Sequence, residues 1–502
     1  MGGWSIVNFS AAYAHDRFSA EYWRPEYLEP LKKRVPWIPL GDVLQSVQYG
    51  ISREMNEDQF GVPCFRMNEM DSVFLSVPKK HMIVDAKEIS QYQLKRGDVL
   101  FNRTNSLHFV GRTGFCDQNT SAVFASYLMR LIPDTSRLLP EYLVIYLNTD
   151  TGIGQVKRRA MESINQANVS GSEVKLVSIP LFPIAWQEKI STLVHNASQK
   201  RGEARTFYAK AQSLLESALG LDKLDLAPRL FYERPYADVE TAGRCDAEYF
   251  QPAHEAVIEC CKQYKHGWIS LDDLMASITN GVECREFVED GVPYLRVGDI
   301  DGLLLKPSEA KQIARADADT LRPKIALEPG DIVMVRSGSI GQTAVISDNT
   351  RDSILSSHLI RLRQTKPMRV RPLCLALMLS SLIGVEQTKK HNNGAIVPEV
   401  SQSAVRQFIV PLLHNGLQND IEKHIQASHD AAKEAQRLLD EAKRMVEEAI
   451  LGYAEYPRKA STLEQHQRPP PDSRPNATHP AVPGPSSSPR IPAKSGSIRP
   501  PR

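Results

Sequence analysis

The chain has 502 residues, 42% of them hydrophobic and 24% charged, the balance of an ordinary globular protein with length for about three domains. Sixty-one Lys and Arg against 59 Asp and Glu leave a net charge of +2, which excludes a strongly basic surface spread over the whole molecule. No run of about eighteen uncharged apolar residues occurs, so no membrane span is expected. Residues 1–20 include Asp16 and Arg17 and lack the layout of a secretion signal. Seven scattered cysteines without a CxxC pair predict reduced thiols in a cytoplasm.

In chain order, a first domain spans residues 1–183, and its first 150 or so residues read as β-rich. Short apolar runs such as Val99 to Phe101 and Ser126 to Ile132 are bounded by Gly, Pro and Asp, and Gly97-Asp98 reads as a turn entering a strand. Helical stretches such as Glu141 to Leu147 intervene, so the fold class is α+β. A long helix follows over 184–220. Trp186, Ile190, Leu193, Ala197, Ala204, Phe207, Ala211, Leu214 and Ala218 recur in steps of three and four, with Lys200 filling one place. A linker spans 221–243.

The pattern then repeats with a period of roughly 230 residues. Arg17-Phe18-Ser19-Ala20-Glu21-Tyr22-Trp23 returns as Arg244-Cys245-Asp246-Ala247-Glu248-Tyr249-Phe250. Trp37-Ile38-Pro39-Leu40 returns as Trp268-Ile269-Ser270-Leu271, and Gly61 to Arg66 returns as Gly291 to Arg296. Gly97-Asp98-Val99-Leu100-Phe101-Asn102-Arg103 returns as Gly330-Asp331-Ile332-Val333-Met334-Val335-Arg336. Order and offset are kept, which means two copies of one domain, the second over 244–414. A second long helix follows over 415–453, with Ile421, Ile425, Ser428, Ala432, Ala435, Leu439, Ala442, Val446 and Ala449 at heptad spacing. Each helix is on the order of 50 Å long. Either each packs on its own domain, or the two pack on each other; equal lengths and continuous seams favour the second. A twofold relation between the copies would make them antiparallel.

Residues 454–502 hold twelve prolines and no apolar periodicity, so disorder is expected there. This tail has eight basic and three acidic residues, leaving about −3 on the body. Any phosphate-binding surface is then a local patch, or is shared with a partner. Catalytic signatures are missing: no glycine precedes a lysine, and no HExxH, Asn-Pro-Pro-aromatic segment or zinc spacing is present. No catalytic residue, metal or cofactor is expected.

The order of domain, long helix, domain, long helix resembles the specificity subunits of type I restriction–modification systems. The likeness rests on the Gly-Asp strands ending at Arg103 and Arg336 and on the openings Glu21-Tyr22-Trp23 and Glu248-Tyr249-Phe250, and it covers about residues 15–453. The resemblance implies two tandem target-recognition domains, each reading half of a split double-stranded DNA target. It also implies that the helices form an antiparallel coiled coil that sets the spacer and docks the DNA methyltransferase subunits, with restriction and translocase subunits joining around them. A similar reader serving another modification enzyme, and a coiled-coil scaffold that binds only protein, stay open.

Base edges are read by Arg, Asn, Gln and Lys, and phosphates by basic or amide groups. The loop after the Gly-Asp strand offers Asn102, Arg103, Thr104, Asn105 and Arg112 in the first copy, and Arg336, Ser337, Ser339 and Gln342 in the second. A basic cluster with amides follows in each: Lys157, Arg158, Arg159, Asn165 and Gln166, then Lys389, Lys390, His391, Asn392 and Asn393. The bland readings are that Arg103 and Arg336 pair with Asp98 and Asp331 or with carbonyls, and that the clusters are solvated helix ends. Trp37 and Trp268 read as core, and Arg66 and Arg296 as internal.

Overall fold

The computed structural model describes residues 6–14, 17–70, 73–164, 166–308, 310–392 and 398–452. The expectation of a disordered tail over 454–502 lies outside them, as do Asn165 and Asn393.

The first copy is built on four strands, β1 (Leu44–Tyr49), β2 (Val99–Asn102), β3 (Thr113–Phe115) and β4 (Leu128–Pro133), in the order β1-β4-β2-β3 with every pairing antiparallel. All four residues of β2 are buried, which is why its apolar run does not alternate. Gly97, with φ of 96°, turns the chain into β2. Asp98 closes that turn by accepting from Lys95 N at 2.9 Å. Trp37–Pro39 pairs with Ser178–Pro180, joining the copy's first and last strands. Helices α1 (Pro140–Leu147) and α2 (Asp150–Arg158) cover the sheet's end, and α3 (Ile184–Leu219) leaves the copy.

The second copy repeats this with β5 (Met275–Asn280), β6 (Ile332–Val335), β7 (Thr343–Val345) and β8 (Leu359–Gln364), ordered β5-β8-β6-β7. Helices α4 (Pro372–Ser380), α5 (Leu382–Lys390) and the long α6 (Asn415–Leu451) follow. Short helices at Phe9–Ala14 and Tyr236–Ala242 precede the two openings at matching places, so the repeat begins upstream of residue 15.

Each long helix is fastened to its own copy by one buried glutamine. Gln187 accepts from Leu139 N at 2.8 Å and donates to Arg137 O and Phe182 O at 2.9 and 2.8 Å. Gln418 accepts from Arg371 N at 2.8 Å and donates to Leu413 O at 2.7 Å. Both helices end at a glycine in the left-handed region, Gly220 and Gly452.

The two long helices also pack on each other. Ser428 Oγ donates to Ala204 O at 2.8 Å, and the rings of Phe207 and His424 stack at 6.1 Å. Partners rise along one helix as they fall along the other, so the two run in opposite directions. Each far end enters the other copy. Ala211 and Leu215 of α3 join the second copy's core. Glu447 of α6 takes Thr151 N at 2.8 Å and Thr151 Oγ1 at 2.7 Å, at the start of α2.

The buried stripe differs in detail from the heptad reading. On α3 it runs through Ile190, Val194, Ala197, Ala204, Ala211 and Leu215, while Leu193, Phe207 and Leu214 are half-buried and Ala218 is exposed. The half-exposed place is filled by Arg201, whose guanidinium lies 4.4 Å over the Phe74 ring, in place of Lys200. On α6 Ala431 is buried and Ala432 exposed. A helix with two neighbours buries a wider stripe than an a/d seam. Trp268 is 43% exposed and Trp37 half-buried, and the core positions nearby are Leu40 and Leu271.

Gln187→Met leaves one backbone N–H and two carbonyls without partners and lowers stability by roughly 3 kcal/mol or more, whereas Leu193→Ala stays within about 1 kcal/mol; urea unfolding midpoints separate the two. The thiols of Cys64, Cys116, Cys261 and Cys374 are pushed up to about 12 by burial. With Ellman's reagent at pH 8, exposed Cys245 reacts at once and those four react only on unfolding.

Candidate nucleic-acid interface

In each copy the loop after the central strand meets a segment some sixty residues further on. In the first, Thr104–Asn105 pairs with Gln166–Asn168, which pairs in turn with Met161–Ser163. Asn168 Nδ2 donates to Thr104 Oγ1 at 2.9 Å. The Arg103 guanidinium lies 4.9 Å over the Tyr49 ring and donates to Ser126 O at 3.3 Å and Asn168 Oδ1 at 3.4 Å. Asn102 is fully buried and donates to Phe109 O at 3.3 Å, so it shapes the loop from within. Asn105 donates to the Met67 sulfur at 3.2 Å. Arg112 stacks on Phe109 at 4.3 Å. Gln166 is exposed, and Ile164 at the hairpin tip is wholly so.

In the second copy Arg336 ion-pairs with Glu399, and Ser337 bridges to Glu399 through the backbone. Asn392 Oδ1 accepts from Glu399 N at 2.9 Å. Ser339 is exposed and Gln342 half-buried. Both copies thus bring loop and later segment to one edge, with different side chains on it.

The aspartates of the Gly-Asp turns are taken by other arginines. Asp98 pairs with Arg130 at 2.9 Å and Asp331 with Arg363 at 2.6 Å. Arg103 therefore bonds a carbonyl and an amide, and Arg336 a glutamate. Arg66 pairs at 2.8 Å with buried Glu69, and Arg296 lies 3.7 Å from buried Asp299.

The basic clusters clamp the opening tyrosines. Arg158 is buried, its guanidinium 4.0 Å over Tyr22, and its Nε donates to Tyr22 O at 3.0 Å. Arg159 reaches Glu173 and the Tyr22 hydroxyl at 3.4 Å each, and Arg17 also pairs with Glu173. Lys390 Nζ sits 3.9 Å over Tyr249 and donates to its carbonyl at 3.2 Å, with Arg244 4.7 Å from the same ring. Lys389 pairs with Glu386 at 2.7 Å. Burial pulls the pKa of Arg158 and Lys390 down. His391 is lowered to about 4 by burial and by Lys390 and Arg244, so it is neutral at pH 7 and brings no charge to a phosphate. Lys157 is half-exposed on the last turn of α2, and Lys389 is exposed on the last turn of α5.

Sequence reasoning passed over Tyr22 and Tyr249 as ring platforms, although each stands five residues after a repeated arginine. It also passed over Tyr49, Tyr127 and Phe109, exposed rings beside the loop. Among the described residues no His, Cys, Asp and Glu group could hold a metal ion, and no helix is long and apolar enough to cross a membrane.

This architecture is a duplicated α+β domain carried on a reciprocal helix pair, with one polar edge per copy. No protein-family profile matches the chain. The chain is similar to type I restriction enzyme specificity subunits. One is ascribed to the MjaX enzyme of Methanocaldococcus jannaschii, 25% identical over 158 residues, 31% of this chain and 37% of that one. Another is the EcoKI specificity subunit of Escherichia coli K12, 25% identical over 174 residues, 34% of this chain and 37% of that one. The matches thus span little more than a third of these relatives. Among solved structures, the type I S subunit from M. genitalium aligns over 84% of this chain and 96% of its own at 13% identity and a TM-score of 0.37. The HsdS subunit from Thermoanaerobacter tengcongensis aligns over 83% and 95% at 15% identity and a TM-score of 0.25.

Arg158→Ala removes the nearest of three cations over the Tyr22 ring and the Nε donor to its carbonyl, and lowers stability by about 2 kcal/mol. Lys157→Ala leaves the melting temperature within about 1 °C, since a half-exposed charge on a helix end contributes little. Differential scanning fluorimetry of the two variants checks the contrast.

Proposed function

We propose that this chain is the specificity subunit of a type I restriction–modification complex in the cytoplasm. Residues 1–183 and 244–414 are its target-recognition domains, joined through the linker 221–243. The helices 184–220 and 415–453 form an antiparallel coiled coil between them. The chain reads a two-part double-stranded DNA target and docks methyltransferase and restriction/translocase subunits. It carries out no chemistry itself.

One observation carries this reading: the same sheet edge recurs in both copies with different residues on it. Arg103, Thr104, Asn105, Arg112 and Gln166 line one edge, and Arg336, Ser337, Ser339, Gln342 and Asn392 the other. Matching scaffolds whose side chains differ beyond the shared arginine, Arg103 and Arg336, suit two unlike half-sites. The near-neutral body fits too, because Glu173 and Glu399 neutralise arginines of this region, leaving recognition to geometry more than to bulk charge. The reciprocal helices supply a ruler of fixed length, on the order of one and a half DNA turns.

Selection of fully randomised duplexes by the full chain tests the reading. A two-part motif with fixed spacing is expected, with affinity falling as salt rises. Enrichment of no sequence at any salt would replace this reading with a protein-only scaffold. Inserting seven residues at the same level of both long helices lengthens the pair by about 10 Å; the selected spacer then grows by about three base pairs, at roughly 3.4 Å each, with both half-sites unchanged.

A further inference from the structure

The two sheet edges can be compared position by position, because the strands that frame them are in identical register. Phe101 pairs with Thr113 in the first copy and Met334 with Thr343 in the second. One step further out, Asn102 N donates to Arg112 O at 2.8 Å and Val335 N to Gln342 O at 3.0 Å. Arg112 and Gln342 therefore stand at the same point. Their neighbours are the same in both copies. Gly111 and Gly341 precede them with φ of 87° and 84°. A Cβ on either would strike the valine of the neighbouring helix, Val156 at 2.5 Å or Val385 at 2.6 Å. Buried threonines, Thr113 and Thr343, follow them. In Gly-Arg-Thr and Gly-Gln-Thr the flanks are fixed by sterics, and the middle residue is free to differ.

The loops leading to this point differ in a matching way. The first copy has nine residues between the framing pair, 103–111, and the second has six, 336–341. The longer loop carries Phe109, 38% exposed, with His108 edge-on to it at 4.6 Å and the Arg112 guanidinium carbon 4.3 Å over its centre. The shorter loop, Arg336-Ser337-Gly338-Ser339-Ile340-Gly341, has no ring. A stacking platform is thus present in the copy that has an arginine to stack.

On the reading that this chain binds DNA, we infer that the residue between the glycine and the threonine selects a base in each half-site, guanine for Arg112 and adenine for Gln342. A guanidinium held over a ring has less rotamer freedom left to lose, and its fork matches O6 and N7 of guanine. A glutamine amide offers the donor and acceptor that match N7 and N6 of adenine. Gln342 Oε1 is buried without a hydrogen-bond partner, a state relieved when the side chain turns out onto the adenine amino group. Phe109 is a positioning residue that acts through Arg112.

The test is selection of fully randomised duplexes by the full chain and by R112Q, Q342R and Phe109→Leu. R112Q is expected to lose a guanine preference of about tenfold or more in one half-site, the worth of one bidentate contact, and to leave the other half unchanged. Q342R is expected to exchange an adenine for a guanine in the other half only. Phe109→Leu is expected to weaken the guanine preference without changing the base. Half-sites that stay the same in all three variants overturn the inference and leave DNA recognition standing. A wild-type chain that enriches no motif overturns both. Where thermal melting shows R112Q unfolded, Q342R decides alone, since its loop lacks the packed ring.

Discussion

The direction in which each long helix leaves its domain is fixed by a single buried amide, and the rest of the molecule depends on it. Gln187 and Gln418 each satisfy backbone groups that no regular ladder reaches. An alternative orientation would leave those groups buried and unpaired, at roughly 1–3 kcal/mol apiece. With both directions fixed, the helices meet along small residues, close enough for Ser428 to bond the Ala204 carbonyl. Each then reaches into the other copy, α3 completing the second copy's core with Ala211 and Leu215 and α6 capping the start of α2 with Glu447.

That reciprocity explains how a protein of two similar domains presents two edges at a constant distance. A flexible linker between two such domains would let their separation fluctuate. Here the segment 221–243 carries no such duty, because the helix pair sets the separation. The domains also touch the helices near their middles. Ser198 bonds Asp117 at 2.7 Å, and His429 meets the Gly302 carbonyl at 2.9 Å. These contacts restrain rotation of each domain about its helix.

The edges themselves economise on charge. Most arginines near them are engaged by glutamate, aspartate or an aromatic ring. A basic group tied up in this way has a defined position and little free field, which on the proposed reading favours discrimination over indiscriminate attraction to phosphate. The exposed rings Tyr49 and Tyr127 beside Arg103 fit the same economy, since they offer apolar area on a rigid frame.

The amino-acid sequence by itself determined the duplication, the α+β character of each copy and the two long helices. All three are written in local periodicity and in the repeated order of short motifs. The strands Val99 to Asn102 and Ile332 to Val335 were legible because apolar runs between turns have few other uses. What needed the tertiary structure was the partner of each side chain. Arg158 and Lys390 read as surface charges because sequence cannot show that Tyr22 and Tyr249, over a hundred residues away, lie beneath them. The stripe on α3 shifted from Leu193 to Val194 because a helix touching both a domain and another helix buries a face that no single heptad describes. The equivalence of Arg112 and Gln342 was hidden by three extra loop residues, and only strand register, fixed by hydrogen bonds across the sheet, restored it.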